Sequence, residues 1–137
     1  MYMFKVVRHD RCSVTTNAYT LAYEDGKTVT PEVGKIFLFR RFEDAVMFAR
    51  PRTKFNSDRI LMVEAHSVEE LHYCSNWYQL SHRIEQYWNE IHGHDITEKV
   101  RDWYGVVKTP YGTHGADSIL VVCEIPRKIW HEVYWSN

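Results

Sequence analysis

The sequence predicts an α+β fold: a largely antiparallel sheet with two to three helices. Three observations carry this reading. Short runs rich in β-branched and aromatic residues cluster between residues 3 and 66 and return near 118–125. Between them, residues 75–105 change to an apolar spacing of three and four, the period of a helix. The chain has 137 residues, no repeat, no low-complexity tract and no Pro/Gly/Ser linker, so one domain over 1–137 accounts for it, with 75–105 as a helical insert.

Taken in order, "MFKVVRH" (3–9) reads as a strand. "AYTLAYEDGKTVTP" (18–31) reads as a hairpin, with Tyr19, Leu21 and Tyr23 alternating and Asp25-Gly26 supplying the turn. "KIFLFR" (35–40) is a strongly apolar strand. "FEDAVMFAR" (42–50) places Phe42, Ala45, Val46 and Ala49 on one helical face, and Pro51 follows. "RILMVEAH" (59–66) returns to strand. The longest helix is expected over about 75–93, where Trp77, Leu80, Ile84, Tyr87, Trp88 and Ile91 recur, Ser75 or Asn76 can cap the start, and Gly93 can close the end. A second helix fits 95–105, since Asp95 and Glu98 have capping-box spacing. "VVK" (106–108) is a short strand, "YGTHGADS" (111–118) a turn-rich loop, and "SILVVCEI" (118–125) the last strand. The tail "KIWHEVYW" suits strand and helix equally.

Composition narrows the function classes. A formal net charge of −1 gives no basic field of the kind that drives nonspecific nucleic-acid binding, so nucleic acid is not an expected partner. Cys12, Cys74 and Cys123 are odd in number, widely spaced and without a CxxC pair; reduced thiols in a cytoplasm are expected rather than a disulfide framework. The start "MYMFKVVRHD" is too short and polar for a signal peptide, and no apolar run reaches membrane length. The aromatic share of 15% suits a core and also an interface between copies of the chain, so a homo-oligomer or an assembly role is a further reading.

The chemistry concentrates at the end of the first strand. Arg8, His9, Asp10, Arg11 and Ser13 could form an anion site, because a guanidinium offers a planar fork of donors, a carboxylate can orient it and a hydroxyl can add a bond. In an extended segment Arg8 and Asp10 would face one way and His9 and Arg11 the other. The competing reading is a solvated strand end whose Arg–Asp pair closes a turn, and base rates favour it. "HGHD" (92–95) has metal-ligating types, but it lies at an expected helix end and lacks clear ligand spacing, so no metal is expected. Cys12 beside Arg11, and Cys74 just ahead of the expected helix, are the two thiols whose surroundings would favour thiolate. The two glycines of 108–118 could expose amides to a phosphate, although the segment matches no P-loop.

The strings "VVRHDRCS", "YEDGKTVTPEVGKIFLFRRFEDAVMFA", "ILMVEA" and "YGTHGADSILVV" resemble a group of small uncharacterised proteins of phage and bacteria, covering most of the chain except 75–105. The shared pattern is R-x-D-R-x-S, a Tyr-x-x-Gly hairpin, Gly-x-x-Phe, and a late Gly-Ala-Asp-Ser. That resemblance implies a setting and no activity. "GKIFLF", "EDAVMFA" and "ILMVEA" are also similar to the small mixed cores of ADP-ribosyltransferase-like folds. This second resemblance implies that Arg8 or His9 holds NAD and that Tyr19 or Tyr23 stacks on nicotinamide. The family's catalytic Q-x-E or E-x-E is missing from the late strand, and Glu124 alone would take that role.

Two functions from different classes follow. The first is a noncatalytic binding protein without a cofactor, in which Arg8, His9, Asp10, Arg11, Ser13, Tyr19 and Tyr23 receive an anionic, nucleotide-like small molecule or a protein partner's acidic group. The second is an NAD-dependent ADP-ribosyltransferase-like enzyme using Glu124.

Overall fold

The computed structural model describes residues 1–14, 19–49, 57–75, 81–94, 97 and 105–136. Among the described residues seven strands and three helices follow one another: β1 (Tyr2–Val7), β2 (Thr28–Val29), β3 (Ile36–Phe39), α1 (Phe42–Ala49), β4 (Arg59–Glu70), β5 (Tyr73–Ser75), α2 (Ser81–Gln86, continued by a π turn over Tyr87–Ile91), β6 (Val106–Lys108), β7 (Thr113–Ile125) and α3 (Arg127–Ser136). All strand pairings are antiparallel. The α+β class is therefore as the sequence predicts.

The main sheet runs β2-β7-β3-β1-β4, and β7 also pairs with β4. Strands β4, β1, β3 and β7 thus form a closed circuit, which leaves few open edges. Closure needs bends, and two are visible in β4. Its register against β7 shifts between Met62 and Val63, and Ser67 adopts a left-handed φ of 55°. Inside the circuit lie Met3, Val7, Tyr23, Leu38, Leu61, Val63, Ile119 and Val121. A second apolar layer forms where Val6, Phe39 and Ile60 meet Ala45, Val46 and Ala49 of α1 and Trp130 of α3. This explains the doublets Val6-Val7, Leu38-Phe39 and Ile60-Leu61. Strands buried on both faces lose their alternation and read as continuous apolar runs.

A charged side chain sits in this interior. Lys5 is only 9% exposed, and its ammonium donates to the Phe37 carbonyl at 3.0 Å while lying 5.6 Å from the Tyr23 ring. Strands β1 and β3 share only the register pair Phe4–Phe39, so the lysine reaches across the narrowest ladder of the circuit. A buried backbone carbonyl with a charged donor avoids the cost of an unmade hydrogen bond.

Several expectations need correction. Residues 18–31 are not a self-paired hairpin. The Asp25-Gly26 turn is present, with Lys27 N–H donating to the Glu24 carbonyl at 3.1 Å and Gly26 at φ +77°. Its arms, however, pair elsewhere: Ala22 bridges Cys12, and Thr28–Val29 pair with Leu120 and Ile119. The loop expected over 111–118 is mostly strand, because β7 begins at Thr113. Ser75 ends β5 instead of capping a helix, so the expected 75–93 helix is seen over 81–91; residues 76–80 lie outside the described set. The second helix expected over 95–105 falls almost wholly outside the described residues, and within that span Thr97 is irregular and Gly105 lies in a turn. The ambiguous tail is helical. Strands β5 and β6 continue the β4–β7 ribbon, so the insert occupies the ribbon's tip.

The insert docks through Trp88. Its indole lies against Gly34, which has φ +73°, and near the Phe37 ring at 6.1 Å. A Cβ at Gly34 would collide with that indole, whereas one at Gly26 would meet nothing. Gly26→Ala should therefore cost only the left-handed strain, about 1–2 kcal/mol. Gly34→Ala should cost that and roughly 1–3 kcal/mol more for overpacking. Urea midpoints of the two variants measure the difference; equal losses would mean that Trp88 does not rest on Gly34.

Candidate functional site

The charged string after β1 is a hairpin turn, not an extended segment. Arg8 N–H donates to the Cys12 carbonyl and Arg11 N–H to the Arg8 carbonyl, both at 2.9 Å, and Val7 bridges Ser13. Three residues, 9–11, reverse the chain. Such loops combine a tight turn with a left-handed residue at the end, a place usually held by Gly or Asn. Arg11 fills it with φ 63°. Asp10 organises the turn: its Oδ1 accepts from Cys12 N–H at 3.1 Å and Arg8 Nε at 3.2 Å, and its Oδ2 from Arg8 Nη2 at 3.1 Å. The Cys12 amide first, and the Arg8 guanidinium after it, hold the Asp10 carboxyl below its ordinary pKa.

The returning chain meets residues 19–25. Ser13 N–H donates to the Leu21 carbonyl and Tyr23 N–H to the Arg11 carbonyl, both at 2.9 Å, while Ser13 Oγ accepts from Leu21 N–H at 3.0 Å. Arg11 turns away from Arg8 and toward this segment. Its Nε donates to the Tyr23 carbonyl at 2.9 Å and its Nη2 meets Asp25 Oδ1 at 2.5 Å. Asp10, Arg11, Ala22, Tyr23, Glu24 and Asp25 line an open groove of about 260 Å³. That lies under the ~300–1,000 Å³ of sites that enclose a whole small molecule. The groove is therefore too small to enclose a whole small molecule.

Of the residues singled out in the sequence, Asp10, Arg11 and Tyr23 line the groove, and Arg8 pairs with Asp10. Ser13 serves the backbone. Tyr23 belongs to the core at 1% exposure, so its ring has no face to offer a nicotinamide. Tyr19 lies apart and donates its hydroxyl to Glu85 of α2. That bond first, and burial next, push the Tyr19 phenol up to about 12. His9 is exposed.

Sequence reasoning missed Arg59. Its Nε donates to the His9 carbonyl at 2.9 Å and its Nη1 to Glu124 Oε1 at 2.8 Å, so it pins the turn and links it to the end of β7. Only the strand register, with Val7 opposite Arg59 and Leu61 opposite Glu124, brings these residues together. No local pattern announces it.

The other candidates change character. Cys74 lies in β5, where burial pushes its thiol up to about 11, against the thiolate expected from a helix start. Of the two glycines of 108–118, Gly115 is in a ladder opposite Phe37, while Gly112 lies in the turn before β7, against the Asp44 carboxylate, which disfavours a phosphate there. Asp95 of "HGHD" is outside the described residues, and among those described no cluster of three metal-ligating side chains occurs. None of the described helices is long and apolar enough to cross a membrane. Compared with protein-family models, with curated proteins and with solved structures, the chain matches none.

Burial of Tyr23 makes an alkaline prediction. Desolvation first, opposed by a Ser13 hydrogen bond, pushes its phenol from 10.0 to about 12. The unfolded chain then ionises before the folded one, so stability is full below pH 10 and falls until pH approaches 12. Two units correspond to about 2–3 kcal/mol. Tyr87, pushed up to about 12 by burial, and Cys74 add loss of the same sign. Urea unfolding at pH 8, 10 and 11 should show a steep decline in the wild type and a shallower one in Tyr23→Phe.

Proposed function

We propose that this chain is a small noncatalytic binding protein of the cytoplasm, of the phage-type setting its sequence resembles, whose turn at Arg8–Ser13 receives an acidic group of its ligand. The observation that supports the reading is Arg11, which lines the groove and already holds a carboxylate, that of Asp25, at 2.5 Å. Its Nε is anchored on the Tyr23 carbonyl and its backbone is fixed by the turn, so the fork is oriented before a ligand arrives. Arg8 acts through Asp10, and Arg59 through the His9 carbonyl. The groove's size favours a single phosphate or carboxylate, with the remainder of a nucleotide-like ligand lying outside.

A second reading has one observation in its favour. Arg59 joins Glu124 to the His9 turn, the two places that an ADP-ribosyltransferase-like enzyme would use. Against it, Arg59 already engages the Glu124 carboxylate and Tyr23 is buried. Nicotinamide release from NAD, lost in Glu124→Gln, would establish this enzyme reading; no release removes it.

A thermal-shift series with inorganic phosphate, ADP and NAD tests the binding reading, since a ligand of the folded form alone must raise Tm. Hydrogen bonds to charged groups contribute about 1.5–3 kcal/mol. Arg11→Ala should therefore weaken binding roughly 10- to 100-fold while the chain stays folded, and Arg8→Ala should weaken it less. An unchanged response in Arg11→Ala would refute the assignment.

A further inference from the structure

We infer that the Glu24-Asp25-Gly26 turn carries a tethered competitor for Arg11, so that an anion enters the groove only by displacing the Asp25 carboxylate; the inference rests on the reading of Arg11 as the anion seat. The two partners are unequal in how they are held. The Arg11 side chain is 27% exposed, anchored by Nε on the Tyr23 carbonyl and carried on a backbone that accepts from Tyr23 N–H. The Asp25 side chain is 57% exposed and meets Arg11 at the tip of a turn. That turn does not need to open. Gly26 N–H donates to the Val121 carbonyl at 2.8 Å and Lys27 N–H to the Glu24 carbonyl at 3.1 Å, so the turn backbone is fastened to β7. Rotation of the Asp25 side chain alone vacates the guanidinium.

Magnitudes make the exchange easy. Exposed ion pairs contribute about 0–1 kcal/mol, so Asp25 lowers the apparent affinity of an incoming anion by roughly five-fold at most. The guanidinium's fork sharpens the choice of ligand. Asp10, Glu24 and Asp25 line the groove with Arg11, and of these three Asp25 is the one whose carboxylate meets the guanidinium. A simple carboxylate entering this groove exchanges one carboxylate contact for another. A phosphate brings further acceptor oxygens to the fork, and gains more from the same swap. The ligand class is therefore a phosphate monoester or free phosphate, ahead of a simple carboxylate.

Titrations with inorganic phosphate, ADP and acetate on wild type, Asp25→Ser and Arg11→Ala decide this, with Arg11→Lys as a second loss variant and circular dichroism confirming that each folds. Asp25→Ser should bind phosphate and ADP roughly two- to five-fold more tightly than wild type. Acetate should remain the weakest ligand, and both Arg11 variants should lose binding. Binding detected in Asp25→Ser but not in wild type would support the same conclusion. Should Asp25→Ser bind no tighter while Arg11→Ala still loses binding, the competitor falls and the anion seat stands. Should Arg11→Ala bind like wild type, or no folded variant bind either phosphate, the seat and its competitor fall together.

Discussion

The antiparallel pairing of β4 with β7 runs from Ile60 opposite Ile125 to Glu70 opposite His114, and it joins two long strands that the 71–112 segment separates. Closing such a loop costs chain entropy before any contact is made. The cost is offset on both faces of the ribbon at once. Leu61, Val63, Ala65, Ile119 and Val121 turn into the circuit, while Ile60 and Ile125 meet α1 and α3. With that ribbon in place, β1 and β3 only have to bridge its two outer edges. The insert is carried at one end, and the Arg59–Glu124 pair at the other brings the first turn to its position.

Local signals were readable and nonlocal ones were not. The face of α1, with Ala45, Val46 and Ala49, follows from spacing alone, and the structure buries those residues. The Asp25-Gly26 turn was equally readable, because φ > 0 at Gly26 is a property of the residue. The partners of its arms were hidden, since pairing with Cys12 or with Leu120 depends on where distant strands lie. Residues 111–118 misled for a physical reason. Gly115 is not there to turn the chain: a Cβ would crowd the Leu71 and Lys35 side chains. A glycine required by packing has the same letter as one required by a turn. The tail's helix was undecided until tertiary contacts anchored it, with Trp130 Nε1 donating to the Ile125 carbonyl at 3.2 Å and Arg127 to the Asp58 carbonyl at 2.7 Å.

The site shows the same division. Asp10 was legible as a turn residue, and its pair with Arg8 matches the bland interpretation of the string. Arg11 was not legible in its role. Its left-handed backbone costs about 1 kcal/mol or more for a residue with a Cβ, and nothing in an arginine's propensities advertises that position. What compensates is the side chain, tied to the Tyr23 carbonyl and Asp25. A residue kept in a strained conformation by its own contacts is also a residue whose direction is fixed, the property on which the proposed anion seat relies.

The proposed exchange of anions at Arg11 fits the electrostatic setting of the groove. Catalytic charge stabilisation draws its strength from water exclusion: two charges 4 Å apart interact by about 1 kcal/mol in water but about 4 kcal/mol at an effective dielectric of 20. The groove is open, and its carboxylates are those of a wetted turn. The Cys12 amide and the Arg8 guanidinium hold Asp10 below its ordinary pKa, which favours its charged form. Glu124 is tied to Arg59, and Tyr23 is sealed in the core. Groups in this condition can trade one carboxylate for another anion with little change in free energy. Reversible occupancy of a preset guanidinium is the chemistry for which such a balance is suited.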